Sequence, residues 1–444
     1  MKRYKMENNP TKVIENMNDF NDESKSFTSR HRKFLLITLM VCNYWMGISY
    51  VLLIPLFPEE MKKRGNRPFL YEAVLSIYQI IVIFFSPFVG KIPIRPNVLA
   101  YGSLLLSGSA AFLMAGISYL PWNIAFYVLA FLSRILDGIG STIYSAFIYS
   151  LIVTIFPRNR AIIIAMMETL NGLGMLTGTV FGALFSEIGG YSLPYLILGT
   201  FLFMSSLLAR KYLPCEREDL KTEFIELKKL IFHHHFLMNL LICFSAYFAI
   251  GFNSNTLEES LNRFHLDKKI LMPITIGLNC VYVICVPLWG RLCDYLDNVR
   301  VLTGVAVSIT CCGFFLVGPP PFIPFRSSLW LVIVSEILLD AGIGGQIICA
   351  FFDGIQGTMK RGFPDDVHTY SAIFGNLLSA TATGCLIGPF LGQIFSRYYG
   401  YATATFFAAV VEFVITTIVW AYILWKRISN GDQEERISLL SSKS

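Results

Sequence analysis

From Phe34 to Trp425 the sequence alternates between apolar runs of about twenty residues or more and short breaks rich in charge, proline or glycine. A helix rises about 1.5 Å per residue, so each run is long enough to cross a hydrocarbon core of about 30 Å. The pattern predicts twelve membrane-spanning helices, near 34–57, 70–90, 98–119, 123–154, 161–187, 193–213, 236–257, 270–292, 299–318, 328–355, 369–396 and 401–425. Between the sixth and seventh lies one long hydrophilic stretch, containing Pro214, Glu216, Arg217, Glu218, Asp219, Lys221, Lys228 and Lys229. It divides the spans six and six. The chain therefore reads as an all-α integral membrane protein with two six-helix bundles, 34–213 and 236–425, joined by a linker at 214–235. Residues 1–33 are polar and basic with no apolar core, so they read as a disordered tail and not a cleaved leader; 426–444 form a second polar tail.

Composition supports a lipid-immersed chain: 54% of the 444 residues are hydrophobic and only 15% charged, against about a quarter in soluble proteins. The charge distribution then orients it. With the amino terminus inside, 26 of the 36 Lys and Arg residues fall in inside segments and 9 in outside loops, so both termini are expected in the cytosol. The net charge of +6 sits at helix ends and in tails and makes no basic face for nucleic acid, which is not expected as a partner. Most of the ten cysteines fall within apolar segments and read as small packing residues. No Cys/His spacing suits a metal, and the triplet His233, His234 and His235 reads as an interfacial cap. No nucleophile is placed with a base and an orienting acid, so neither an enzyme nor a cofactor site is expected.

The two halves echo each other. Span 5 carries Gly174, Gly178 and Gly182, and span 11 carries Gly384, Gly388-Pro389 and Gly392 at the same spacing. Span 4 has Leu136-Asp137-Gly138-Ile-Gly140, and span 10 has Leu339-Asp340-Ala-Gly342-Ile-Gly344. Internal repeats of this kind are a mark of transporters that rock one bundle against another.

Several segments resemble motifs of the major facilitator superfamily. Gly290-Arg291-Leu-Cys-Asp294, followed by Arg300, is similar to its cytosolic loop signature; a tight turn at Gly290 is expected, with Asp294 pairing with a basic residue or capping a helix start. The counterpart after span 2, Gly90-Lys91-Ile-Pro-Ile-Arg95, lacks the acid. In span 4, Arg134-Ile-Leu-Asp137-Gly138 resembles the arginine-glycine motif of proton-coupled members. It has two readings: a functional charge pair, or a neutral structural pair pinning span 4 to span 5. Met167-Glu168-Thr-Leu-Asn171-Gly172-Leu-Gly174 resembles the antiporter motif of span 5, with Thr179 where proline is usual.

Across nearly all spans the pattern looks like the vesicular amine transporter family, most closely its vesicular polyamine branch. The resemblance rests on Asn43, Tyr50 and Pro55-Leu-Phe-Pro58, on Phe156-Pro157-Arg-Asn159, and on Pro287-Leu-Trp-Gly290, besides the motifs above. It implies an antiporter that uses an inward-acid proton gradient to load organic cations into vesicles. In monoamine and acetylcholine relatives spans 1 and 11 carry buried aspartates, where this chain offers Asn43 and Asn376. The span 7 acid is replaced by Ser254, with Glu258 one turn on, either a substitute on the same face or a solvated residue at the mouth. Candidate substrate and proton residues are thus Asn43, Tyr50, Arg134, Asp137, Glu168, Glu258, Asp340, Asp353 and Asn376. The expected division of labour has Arg134 compensating Asp137 while Glu168 exchanges protons. Tyr50, Tyr78, Tyr144, Trp45 and Trp289 are candidates for a cation-binding aromatic wall.

In the carboxyl tail, Glu435-Arg-Ile-Ser-Leu439-Leu440 resembles an acidic dileucine signal, which an extended peptide presents to a clathrin adaptor. That makes a vesicular or endolysosomal membrane the expected location. Two other readings stay open: a plasma-membrane exporter of drugs or organic ions, and a sensor or scaffold without flux.

Overall fold

The computed structural model describes residues 29–63, 68–92, 95–121, 124–213, 233–265, 268–296, 298–318 and 328–441, and every regular element among them is helical. Most of the expected linker, at 214–232, and the first 28 residues lie outside the described residues. Among the described residues twelve helices are long and apolar enough to cross a bilayer: α1 Arg32–Lys63, α2 Leu70–Lys91, α3 Asn97–Tyr119, α4 Ile124–Ile155, α5 Arg160–Gly189 and α6 Ser192–Tyr212, then α7 His234–Ser254, α8 Pro273–Tyr295, α9 Val299–Val317, α10 Leu329–Met359, α11 Val367–Tyr399 and α12 Tyr401–Ser429. An even number of crossings puts both ends of the bundle on one face, called here the terminal face; the other is the distal face.

Local sequence explains the irregularities. The helical backbone of α1 is interrupted between Val51 and Leu53. Pro55 has no N–H to give the Val51 carbonyl, so the ladder fails there. The helices α4, α5, α10 and α11 span 30 to 33 residues. At about 1.5 Å per residue they overhang the hydrocarbon core, so their ends meet outside it. Beyond α12 the helical backbone runs on to Ser441, which gives Glu435, Leu439 and Leu440 a helical rather than an extended backbone; their side chains lie outside the described residues.

The internal repeat is also a repeat of packing. On α5, Gly174, Gly178 and Gly182 face Tyr44, Ile48, Val51 and Leu52 of α1. On α11, Gly384, Gly388 and Gly392 face Phe244, Phe248 and Phe252 of α7 in the same way. A Cβ at Gly174 would run into the Tyr44 carbonyl, and one at Gly384 into the Phe244 carbonyl. Small residues are what let these backbones approach. Pro389 packs against Gly251 of α7.

The two bundles meet where α5 packs on α8 and α10, and where α11 packs on α2 and α4. Near the terminal face this seam is tight. Gly375 sits against the Ser86 carbonyl, Gly90 sits against Ala372, and Ser371 Oγ donates to Ser150 Oγ at 3.0 Å. Gly290 belongs to this seam and not to a turn. It lies inside the helix Lys268–Tyr295, and the missing Cβ is what admits Ala161 and Ile162 of α5. The expected turn comes later, because the helix continues through Arg291 until Tyr295.

Candidate functional site

A cavity of about 410 Å³ lies between the bundles, within the size range of small-molecule sites. Its wall takes Met46 and Tyr50 from α1, Tyr78 and Gln79 from α2, Tyr149 from α4, and Glu168 and Asn171 from α5. The other bundle supplies Tyr247 from α7, Tyr282 from α8, Asp340 from α10 and Cys385 from α11. Thr179 and Asn279, exposed residues in the distal parts of α5 and α8, lie at its rim. With the terminal seam packed, the cavity opens toward the distal face. Among the described residues, its wall contains two carboxylates and no lysine, arginine or histidine.

Glu168 sits eight residues into α5, about 12 Å from its terminal end. It is 7% exposed and accepts a hydrogen bond from the Tyr149 hydroxyl at 2.7 Å. Among the described residues no cation pairs with Glu168 or with Asp340. Below the cavity, Tyr149 packs on Phe374 and Phe351, with ring centroids 5.3 and 6.2 Å away, and those two rings lie 5.7 Å apart. Glu168 is therefore bonded directly to the aromatic plug that closes the floor.

Tyr50 is the centre of a second group. Gln79 Nε2 donates to its hydroxyl at 2.9 Å, Cys385 Sγ lies 3.2 Å from the same oxygen, and its ring lies 5.4 Å from that of Tyr78. Behind Tyr78, out of the cavity, is the Arg134–Asp137 pair at 3.1 Å, both buried. The Arg134 guanidinium lies 4.6 Å from the centre of the Tyr78 ring, and Ser49 Oγ donates to Asp137 at 3.2 Å. The pair thus faces α1 and α2. An i, i+3 pair shares one helical face, and among the described residues the contacts of this face run to Ser49 and Tyr78, not to α5.

The other candidates are dispersed. Asn43 donates to the Met167 carbonyl at 2.6 Å and Asn376 to Ala372 of its own helix at 2.7 Å; both are buried outside the cavity. Asp353 lies toward the terminal face of the second bundle, 3.0 Å from His235 Nε2 and 3.4 Å from Arg300 Nε, with Asn239 donating at 3.2 Å. Arg300 therefore serves Asp353 and not Asp294. Glu258 lies on the helix that continues α7, and its side chain is outside the described residues. Of the expected aromatic wall only Tyr50 and Tyr78 reach the cavity. Trp45 stacks on Phe201 at 4.0 Å, Tyr144 donates to Leu39 and Trp289 to Ala341, while Tyr149, Tyr247 and Tyr282 take their places.

Asp294 caps a helix across the seam. Its two carboxylate oxygens accept the backbone N–H groups of Ala161 at 3.1 Å and Ile162 at 2.9 Å, at the start of α5. Next to it Arg160 pairs with Asp365 at 3.2 Å, and Tyr370 donates to the same carboxylate. Arg291 is exposed beside this latch.

Besides Glu60 near the distal end of α1, two buried acids lie outside the expected set. Glu336, one turn before Asp340, accepts from Asn253 at 2.6 Å, and Glu412 of α12, fully buried, accepts from Ser245 at 2.6 Å. The signal for both was an ionisable residue inside an apolar span, which is costly there unless it has a task or partners.

The sequence matches the family model described as Major Facilitator Superfamily over residues 39–382. Among characterised proteins it is similar to the MFS-type transporter SLC18B1 of Mus musculus, at 25% identity over 94% of each chain. It also matches SLC18B1 of Homo sapiens, at 24% identity over 86% of this chain and 84% of the relative. The multi-drug resistance efflux pump PmrA of Streptococcus pneumoniae is 23% identical, over 82% of this chain and 90% of the pump. Among solved structures, the human organic anion transporter MFSD10 (TETRAN) superposes with a TM-score of 0.69 at 12% identity, covering 88% of this chain and all of that one.

Proposed function

We propose that this chain, which belongs to the Major Facilitator Superfamily and is a multi-pass membrane protein and not an enzyme, exchanges protons for organic cations, polyamines or related amines, by alternating access. The observation that carries the reading is the cavity wall, where Glu168 and Asp340 face the lumen of the site and no basic residue among the described residues offsets them. Such a wall favours a cation and opposes an organic anion, whatever the fold neighbour carries. The tyrosine rings add faces on which an ammonium group and an alkyl chain both rest. A buried carboxylate with no cation beside it needs either a proton or a cationic substrate for charge balance. Competition between the two at Glu168 is the exchange step.

Tyr149 gives that exchange a route to the gate. While Glu168 is charged it holds the Tyr149 hydroxyl, and Tyr149 holds the Phe351–Phe374 plug. Protonation from the distal side weakens the bond and frees the plug, so the site reopens toward the terminal face carrying protons in place of amine. On this reading the terminal face is cytosolic, both tails lie in the cytosol, and the distal face looks into an acidic vesicular lumen, with the carboxyl tail available to a clathrin adaptor. A difference of about 1.5 pH units supplies roughly 2 kcal/mol per proton, so strong concentration of a polycation takes more than one proton or a favourable potential.

The test is uptake of radiolabelled spermidine, spermine and serotonin into acidified proteoliposomes. Wild-type uptake should collapse with a protonophore and with Glu168→Gln. Uptake of lipophilic drugs but no amine would favour the exporter reading, and no gradient-driven uptake of any kind the sensor reading.

A further inference from the structure

A second cavity, of about 310 Å³, opens between the bundles on the terminal face, away from the cargo site. It takes Arg158 from the α4–α5 connection, Arg160 from the start of α5, Cys293 and Asp294 from the end of α8, and Gln356 and Lys360 from the end of α10. Three of these side chains are cationic. Arg160 spends one nitrogen on Asp365, while its buried Nε has no partner among the described residues. Arg158 and Lys360 form no ion pair among the described residues. The single acid, Asp294, has both oxygens committed to backbone N–H groups of α5. The pocket therefore presents a surplus of positive charge, guanidinium donors and an amide donor, with its carboxylate already engaged.

We propose that this pocket binds a phosphate-bearing anion and that the anion holds the terminal face closed. Guanidinium groups match phosphate oxygens in geometry, a lysine adds a point charge, and the volume accommodates a phosphate on a polyol or glycerol frame. Coupling to conformation follows from where the wall comes from. Arg158 and Arg160 belong to one bundle, and Gln356 and Lys360 to the other. Opening the terminal face separates them and dismantles the pocket, so a ligand bound there favours the closed state by its differential affinity. The site stands apart from the cargo cavity and does not depend on what the transporter carries.

Phosphate chemistry reaches this face either on a lipid headgroup or in solution, and two arms separate the sources. Full-length protein in neutral-lipid nanodiscs is titrated with inositol trisphosphate by calorimetry; in parallel its thermal unfolding is followed in nanodiscs with and without phosphatidylinositol bisphosphate. The inference expects saturable, salt-sensitive binding in the first arm or an upward shift in unfolding temperature in the second. Either effect should fall at least about tenfold in the Arg158→Gln/Lys360→Gln variant, whose unfolding in neutral lipid matches wild type. A response in the soluble arm alone identifies a free phosphate, and one in the lipid arm alone a headgroup. No response in either arm, or a response the double variant keeps, overturns the inference. Spin labels across the terminal face supply the conformational test: added ligand should narrow the distance distribution toward the short, closed population in wild type and not in the variant. Binding without that shift overturns the closing role.

Discussion

The hydroxyl of Tyr149 donates to Glu168 at 2.7 Å, and through this bond the acid at the floor of the cargo cavity is joined to the ring that seals the terminal side. Removing the hydroxyl while keeping the ring separates its two jobs. In Tyr149→Phe the packing on Phe351 and Phe374 survives, but the charge-assisted bond, worth about 1.5–3 kcal/mol, is lost. Gradient-driven uptake should fall at least about tenfold while thermal stability changes little. Parallel uptake and unfolding measurements check this; normal uptake would remove Tyr149 from the coupling route.

The Arg134–Asp137 pair has a clear stability prediction. Arg134→Gln leaves a buried carboxylate without its cation, which costs about 3–5 kcal/mol. The double variant Arg134→Gln/Asp137→Asn removes both charges and should recover most of that loss. Unfolding in detergent measures the stability, and uptake by the double variant separates structure from transport. Stable protein with full uptake marks the pair as structural; stable protein without uptake gives it a part in the cycle.

How much of this was readable beforehand varied with the physics. Twelve spans and the two-fold repeat follow from hydropathy and glycine spacing, because each helix must satisfy its own backbone in lipid and close approach needs small residues. The contacts of those residues were not readable. Gly290 looked like a turn glycine because sequence spacing carries no information about the other bundle, and only the fold brings Ala161 against it. Glu168 and Asp340 were recognisable as membrane acids, but Asp353 looks the same in sequence, and what sets it apart is the approach of His235 and Arg300 from two other helices. Tyrosines were hardest. Tyr144 and Tyr149 are five residues apart on one helix, and one bonds Leu39 while the other bonds Glu168.

The glycine stripe predicts a graded effect. A methyl group at Gly174 meets the backbone carbonyl of Tyr44, which cannot rotate aside, so Gly174→Ala should destabilise by about 1–3 kcal/mol. Gly102→Ala, on α3 with open space at the Cβ position, is the control and should be neutral or slightly stabilising through helix propensity. Unfolding temperatures of the two variants test whether α1 is seated on α5 as described.

Asp294 predicts a shift of conformation. Its carboxylate accepts two N–H groups of α5 only while the terminal face is closed, and losing a capping interaction of this kind costs about 1 kcal/mol. Asp294→Ala should therefore move the equilibrium about fivefold toward the terminal-open state. Labelling of a cysteine introduced on the terminal part of α2 should speed up accordingly; an unchanged rate would mean that the cap does not favour the closed state.

The two carboxylates of the cavity are placed to read the spacing of charges on a substrate. Glu168 belongs to the first bundle near the floor, and Asp340 to the second bundle, eleven residues from the distal start of α10, so they lie at different depths on walls supplied by different bundles. A linear amine with two or more ammonium groups can satisfy both at once, whereas a monoamine engages one. Asp340→Asn should therefore raise the KM for spermidine by at least about tenfold, the loss of one charge-assisted contact, and leave that for a monoamine nearly unchanged. Glu168→Gln should abolish gradient-driven uptake of both, since it removes the site at which proton and substrate compete. Uptake kinetics with spermidine and serotonin on the two variants decide it. An equal loss of both substrates in Asp340→Asn would make Asp340 a part of the coupling machinery and leave selection for charge spacing without support.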